Sequence, residues 1–243
     1  MLETEHAPPK PNPTRALGRF ELRQLLGKSD RTMVWLVHDP RAGQELMLTL
    51  PRVQPVTPAA TEHWLAEARH AARLNHPNLA HAVEIGVQEH WPYVAVDRAL
   101  GVTLGERLAA GPRPGTEDAV EWIVQALEGL AFVHEAGLAH GDLQLHQVVV
   151  SEQGTVRVMA PGAGLPAAAH TEHANDRAMP LDPNRLRHAR EAAVRDVLTM
   201  GLLLYRVLAG APALDEPDTG RVVDRLPPQG REFVRLPWSM PQP

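Results

Sequence analysis

Two short apolar runs behind a polar loop constrain this chain more than any other feature. They lie in the stretch from Ala139 to Gly162, as Val148–Val150 and Val156–Val158. Gly154 falls between them, in a turn that begins with Glu152. Two apolar runs separated by a short glycine-containing turn are typical of a β-hairpin. The sequence therefore predicts a loop, a hairpin and a proline-glycine break, in that order.

The same stretch resembles the catalytic segment of bacterial-type protein Ser/Thr kinases. There, an H-R-D-L-K-P-x-N loop, a hairpin and D-F-G follow one another. His140 and Asp142 match the histidine and the aspartate of that loop. Gly141 replaces its arginine and Gln147 its asparagine, and Ala160 lies at the position of the D-F-G aspartate. The chain is therefore interpreted as a degenerate member of this family, a pseudokinase.

Composition argues against several other classes of protein. The 243 residues carry a net charge of −5 and no basic stripe, so no nucleic-acid partner is expected. Without cysteine there are no disulfides or thiolate zinc sites. His134, His140 and His146 are evenly spaced, but ordinary core or surface histidines explain them, and no metal is expected. Since the longest apolar run, Met200–Tyr205, is too short for a bilayer and no signal core precedes it, a cytoplasmic protein without a membrane partner is expected.

The order of elements predicts an α+β fold, two-lobed and protein-kinase-like. Residues 1–17 are polar and proline-rich and are predicted to be a disordered leader. Residues 18–97 are predicted to form a five-stranded antiparallel N-lobe with one main helix after the third strand. Thr57-Pro58 supplies the N-cap and first turn of that helix. Leu74-Asn75-His76-Pro77-Asn78-Leu79 then resembles the L-x-H-P-N-I connection of the family.

Residues 98–243 are predicted to form a mainly helical C-lobe. Thr103 and Glu106 have the spacing of a capping box at the start of a short helix. A longer helix follows from Thr116, and Asp196–Gly210 resembles the apolar, buried helix of the family's C-lobe. The residues of the longer helix predicted to be buried are Val120, Ile123, Val124, Leu127, Leu130 and Ala131.

The remaining parts of the C-lobe carry weaker patterns. Ala163 to Arg190 lacks strand or strong helix periodicity and occupies the position of an activation segment. Asp215 to Pro243 suggests loop with one short helix, so the lobe is expected to be incomplete at its C-terminal end. The chain is accordingly expected to be a fragment of a longer protein.

Several groups that the family uses to bind phosphates are replaced. In the family, a lysine on the third strand holds the phosphates and pairs with a glutamate of the N-lobe helix. Thr49 aligns with that lysine, whereas Glu67 remains at the glutamate position. Of the glycine-rich loop, only Gly27 and Val34 match. Phosphate binding by the usual contacts is therefore not expected.

The magnesium and adenine positions are also altered. Gln147 and Ala160 stand where the family's Mg²⁺ ligands lie, and alanine cannot coordinate a metal. Met47 stands at the small alanine that borders the adenine and is predicted to fill part of that site, because methionine adapts to irregular gaps. Val96 is the remaining position of this degenerate ATP site. Asp142 matches the catalytic base but is expected to be structural.

These substitutions predict a catalytically inactive, regulatory or scaffolding module of bacterial signalling. Its partner would be another protein or an adjoining C-terminal signalling domain, and neither ATP nor Mg²⁺ is expected as a cofactor. The alternative is a weak or atypical ATP-dependent Ser/Thr protein kinase, or a nucleotidyl transferase on the same fold, which Asp142 and Glu67 support. A decayed remnant without a present task is a third interpretation.

Overall fold

The computed structural model describes residues 15–161 and 183–209, and this part of the chain forms two lobes. The first is an antiparallel sheet in the spatial order β1-β2-β3-β4-β6-β5, with helix α1 (Pro58–Ala71) packed on it. Its strands are β1 (Ala16–Leu17), β2 (Phe20–Lys28), β3 (Thr32–Asp39), β4 (Gln44–Pro51), β5 (Ala82–Gln88) and β6 (Trp91–Asp97).

Strand β1 lies within residues 1–17, which the sequence analysis predicted to be disordered. Ala16 and Leu17 pair with β2, and the Leu17 side chain is buried against Phe20 and its neighbours. The expectation of disorder up to residue 17 is therefore wrong for these two residues, because a buried leucine anchors them to the sheet. Residues 1–14 lie outside the described part of the chain.

Strand β4 separates two apolar clusters, because successive side chains of a strand point to opposite faces of the sheet. Leu46, Leu48 and Leu50 pack with Phe20 and Tyr93 on the outer face of the sheet. Met47 belongs to a second cluster on the opposite face, toward the other lobe. Helix α1 covers part of that face. Its N-cap is confirmed, since the Thr57 hydroxyl accepts a hydrogen bond from the Ala60 N–H at 3.1 Å.

The second lobe combines a small sheet with three α-helices in its described residues. The predicted hairpin is confirmed, because β8 and β9 pair antiparallel and β7 adds a third strand. The Thr103–Glu106 capping box is also confirmed. The elements are β7 (Val102–Thr103), α2 (Leu104–Ala110), α3 (Thr116–Glu135), β8 (Val148–Val150), β9 (Val156–Val158) and α4 (Pro183–Ala209).

The predicted buried face of α3 is partly wrong. Val120 and Val124 are 44% and 43% exposed, and Ala131 is also exposed. Gly129 shows why, since a Cβ atom there would lie only 2.6 Å from the carbonyl oxygen of Asn78. The helix turns its small residues inward so that backbone segments can approach closely. Its buried residues are Ala119, Trp122, Ile123, Ala126, Gly129, Leu130 and Val133.

Helix α4 begins earlier than the sequence predicted. It starts at Pro183, so the end of the stretch Ala163–Arg190 is helical rather than irregular. Helix α4 is also not buried on all sides. Val197 and Tyr205 are exposed, while the opposite face of the helix packs on α3. That buried face carries Met200, Leu203 and Val207.

Two predicted regions fall wholly or mainly outside the described residues. They are the activation-segment position, apart from the residues of α4, and everything after Ala209, including the incomplete end of the C-lobe. Among residues 15–161 and 183–209, no helix is both long and apolar enough to cross a lipid bilayer.

Candidate functional site

The candidate site is the cleft between the two lobes, where the predicted nucleotide positions come together. Strands β3, β4 and β6 supply Val34, Met47 and Val96, and the hairpin side supplies Val149 and Met159. All five belong to one apolar cluster, and none is more than 1% exposed to solvent. The cleft is therefore packed with the chain's own side chains.

Met47 is one of the fully buried members of this cluster. Its neighbours across the sheet are Leu36 on β3 and Val96 on β6. Its Sδ atom lies 3.9 Å from Nη1 of Arg98, in the segment that links the lobes. Arg98 also donates two hydrogen bonds of 2.8 Å to the Glu106 carboxylate, which fixes the linker to α2.

Thr49, which the sequence analysis aligns with the family's lysine, lies two residues after Met47 and on the same face of β4. Its side chain is fully buried, and its hydroxyl has no hydrogen-bond partner. Glu67 on α1 is half-buried. Because the Thr49 hydroxyl is unpaired, the two residues are not joined as the lysine and glutamate are in the family.

Asp142 is held by a turn of the first lobe, here called the β2–β3 turn and defined as Ser29–Thr32. The Asp142 Oδ2 atom accepts a hydrogen bond of 2.7 Å from the Ser29 hydroxyl and one of 2.5 Å from the Thr32 hydroxyl. The amide of Gln147 donates to the Thr32 hydroxyl at 3.0 Å. All four side chains are buried, so this polar cluster is shielded from water.

The loop that carries Asp142 is anchored to helix α4 by Asp196. The Asp196 carboxylate accepts hydrogen bonds from the backbone N–H groups of His140 and Gly141, at 2.7 and 3.0 Å. The ring of His134 lies 3.0 Å from the same carboxylate. Through these contacts, Asp196 ties the loop that carries Asp142 to helix α4.

His140 is part of the same anchor. Its Nδ1 atom accepts the backbone N–H of Asp142, and its Nε2 atom lies 2.8 Å from the Met159 carbonyl oxygen. The proton therefore belongs on Nε2, which donates it to that carbonyl. Burial lowers the pKa of His140 from its ordinary value, although Asp196 and the Met159 carbonyl act in the opposite direction.

The two glycine-rich-loop matches have structural contacts. A Cβ atom on Gly27 would lie 2.3 Å from the His146 ring, so the missing side chain makes room for that histidine. Val34 is in the apolar cluster described above. Sequence reasoning missed Ser29, Thr32 and Arg98. The only sequence signal of Ser29 and Thr32 was their place in a hydroxyl-containing turn, and nothing in the sequence links that turn to Asp142, more than a hundred positions away. Arg98 lies outside that turn, and its partners are Glu106 and Met47.

The two positions predicted from the family pattern to match its magnesium ligands carry uncharged residues. Gln147 is 1% exposed, and its Oε1 atom has no hydrogen-bond partner. Ala160 is 7% exposed and has a positive φ of 40°, which is unusual for a residue with a side chain. Within residues 15–161 and 183–209, His, Asp and Glu side chains do not gather in the groups of three that a metal site needs.

Known proteins are similar to this chain in sequence. The protein kinase domain model matches residues 20–229. The chain is 28% identical over 211 residues to the probable serine/threonine-protein kinase SCO3848 of Streptomyces coelicolor, a match that covers 82% of this chain and 31% of that protein. It is 28% identical to PknB of Mycobacterium tuberculosis (82% and 34% covered) and 21% identical to PrkC of Bacillus subtilis (83% and 32%).

A solved structure agrees with these matches at the level of fold. Rad53 1–466 in complex with AMP-PNP superposes with a TM-score of 0.56 at 17% identity, covering 89% of this chain and 59% of that one. The chain spans about a third of the length of the bacterial relatives that it matches. The sequence match and the two-lobed architecture agree, and the chain belongs to the protein kinase family.

Proposed function

We propose that this kinase-family domain does not transfer phosphate and serves as a regulatory or scaffolding module in bacterial signalling. The observation that carries the proposal is the state of the Asp142 carboxylate. It is buried and accepts hydrogen bonds from Ser29 and Thr32, where an active kinase presents it to a substrate hydroxyl. A base engaged in this way is a structural group.

The charges around Asp142 support the same conclusion. Phosphoryl transfer depends on positioning and on stabilising the charge of the phosphates, through a lysine and two metal ligands. Thr49, Gln147 and Ala160 stand at these positions, and each is neutral. Losing one charge-stabilising group typically costs about 10² to 10³ in rate. Losing three together removes the ordinary mechanism.

The adenine end of the cleft supports it independently. Val34, Met47 and Val96 are fully buried among the chain's own side chains. An adenine ring would have to displace Met47 and break close apolar packing, which costs free energy. The proposed module therefore takes no nucleotide, and its partner is a protein or a signalling domain joined to it.

The rival is an active enzyme, either an atypical Ser/Thr protein kinase or a nucleotidyl transferase. Its support is Asp142, Glu67 and the names of the bacterial relatives, which are serine/threonine-protein kinases. An enzyme of either kind must bind ATP with a divalent metal. Binding of ATP is therefore the property that separates the two proposals.

A thermal-shift titration with ATP and either Mg²⁺ or Mn²⁺ measures that property. Ligand at a hundred times its Kd would stabilise the domain by about 2.7 kcal/mol, or roughly 5–10 °C in Tm. We expect no metal-dependent shift, with the same titration in EDTA as control. Transfer of labelled γ-phosphate by the native chain, and not by Asp142→Ala, would establish the rival and end the proposal.

A further inference from the structure

We propose that the β2–β3 turn is an intramolecular ligand of the catalytic loop, and that it holds the two lobes closed in place of a bound nucleotide. The inference deepens the proposed function, because it states how a cleft that binds no ATP keeps its geometry. The turn occupies the acceptor that a substrate hydroxyl would need, so the contact is a structural one and is incompatible with Asp142 acting as a base.

The hydrogen bonds of this contact have a defined direction. The Ser29 Oγ atom accepts the backbone N–H groups of Arg31 and Thr32, both at 2.9 Å. Its own proton therefore points outward, to Asp142 at 2.7 Å in preference to the Thr32 carbonyl oxygen at 3.4 Å. The turn thus preorganises the serine hydroxyl toward the second lobe.

The threonine of the turn is oriented by the second lobe itself. Gln147 donates to the Thr32 hydroxyl, which leaves the hydroxyl proton for Asp142. Both hydroxyls meet the same carboxylate oxygen, so the contact consists of two charge-assisted hydrogen bonds between the lobes. Such bonds are about twice as strong as neutral ones, and a buried carboxylate deprived of them is costly.

Opening of the lobes would break both bonds together. Ser29, Thr32 and Asp142 are at most 7% exposed, so the bonds are not in competition with bulk water. Arg31 adds a longer contact of 3.4 Å to the Gly141 carbonyl oxygen. The closed arrangement therefore needs no ligand, and a partner of this domain meets one constant interlobe geometry.

The absence of cysteine from the sequence allows a direct test on the native chain. Gln24→Cys on β2 and Gln153→Cys in the β8–β9 turn place spin labels on exposed positions, one in each lobe. We expect a single narrow interlobe distance distribution without nucleotide. In the background of Ser29→Ala with Thr32→Val, the distribution should broaden. Lys28→Ala, an exposed change next to the turn, should leave it narrow.

Hydrogen exchange supplies a second readout. The Asp142 amide should exchange about tenfold faster or more when both hydroxyls are removed, because even one charge-assisted bond is worth about a factor of ten. Amides of α3 should keep their rates, which excludes global destabilisation. If the double variant does not fold, Ser29→Ala and Thr32→Val are measured singly, and each should give part of the effect.

The outcomes separate the two proposals. A broad distribution in the ligand-free native chain, or a double variant as narrow and as slowly exchanging as the native chain, would overturn the intramolecular ligand and leave the inactive role standing. A native distribution that is narrow but shifts when ATP and Mg²⁺ are added would instead contradict the inactive role.

Discussion

Asp196 on α4 accepts the backbone N–H of His140 at 2.7 Å, although 56 positions separate the two residues in sequence. This contact fixes the start of the loop that carries Asp142. The Asp196 carboxylate also accepts a hydrogen bond from the Gly141 N–H, and the ring of His134 lies within hydrogen-bond distance of it. The loop is therefore positioned by a helix of its own lobe, independently of any ligand.

Replacing Asp196 by asparagine should destabilise the domain by about 1.5–3 kcal/mol. An amide keeps one oxygen acceptor but loses the charge that strengthens the hydrogen bonds to the loop. Urea unfolding followed by circular dichroism measures the change as a lower midpoint at an unchanged slope. Glu191→Gln on the exposed face of α4 is the control and should change stability by less than about 0.5 kcal/mol.

Met47→Ala should cost about 2–5 kcal/mol, because it leaves a cavity in a fully buried cluster. The same variant should still fail to bind ATP, since enlarging the adenine site restores no charge at the phosphate end. Denaturant unfolding and an ATP titration check the two parts. Leu25→Ala, at a position 38% exposed on β2, is the control for the stability loss. Tight ATP binding by Met47→Ala would show that side-chain bulk alone closes the site.

Thr49→Val should leave the domain as stable as before or raise its free energy of unfolding by about 1–2 kcal/mol. The Thr49 hydroxyl is buried without a hydrogen-bond partner, and burying such a group costs free energy. Valine has nearly the same shape. Thermal and urea unfolding measure the change. A clear loss of stability would mean that the hydroxyl makes a favourable contact in solution.

Stability should fall as the pH drops below about 6.5, the ordinary histidine value, in part because of His140. Burial lowers the pKa of this ring in the folded state, so the unfolded chain binds the proton more readily. Acid then favours unfolding, by up to about 1.4 kcal/mol per pH unit for one group. Unfolding free energies between pH 5 and 7.5 measure the slope. His140→Asn should reduce it, and an unchanged slope would assign the effect to other residues.

Local signals in the sequence predicted most of the fold. The Thr57 N-cap, the Thr103–Glu106 capping box and the β8–β9 hairpin each depend on residues within a few positions of one another. The face of α3 was harder, because apolar size favoured Val120 and Val124 while close backbone approach selected smaller residues. Size and hydrophobicity alone do not encode that approach.

The sequence indicated which residues belong to the candidate site, but it did not indicate which hydrogen bonds they make. The family pattern located Asp142, Thr49 and Ala160, because each lies at a fixed offset within a motif. The hydrogen bonds of Ser29 and Thr32 to Asp142 join residues 113 and 110 positions apart. Only the folded chain brings such pairs together, and no periodicity along the sequence reports them.

The segment after α1 has a mechanical consequence. Asn78 and Ala80, which precede β5, exchange backbone hydrogen bonds of 2.9 Å with Val158 of the hairpin. The Asn78 side chain adds a bond to the Val156 carbonyl oxygen. In addition to the contacts of the β2–β3 turn, the lobes are joined along two lines, namely this strap and the linker at Asp97–Gly101. These two attachments define an axis between the lobes. Rotation of one lobe about this axis should cost the least free energy, because sliding or twisting would also break the hydrogen bonds of Asn78 and Ala80 with Val158.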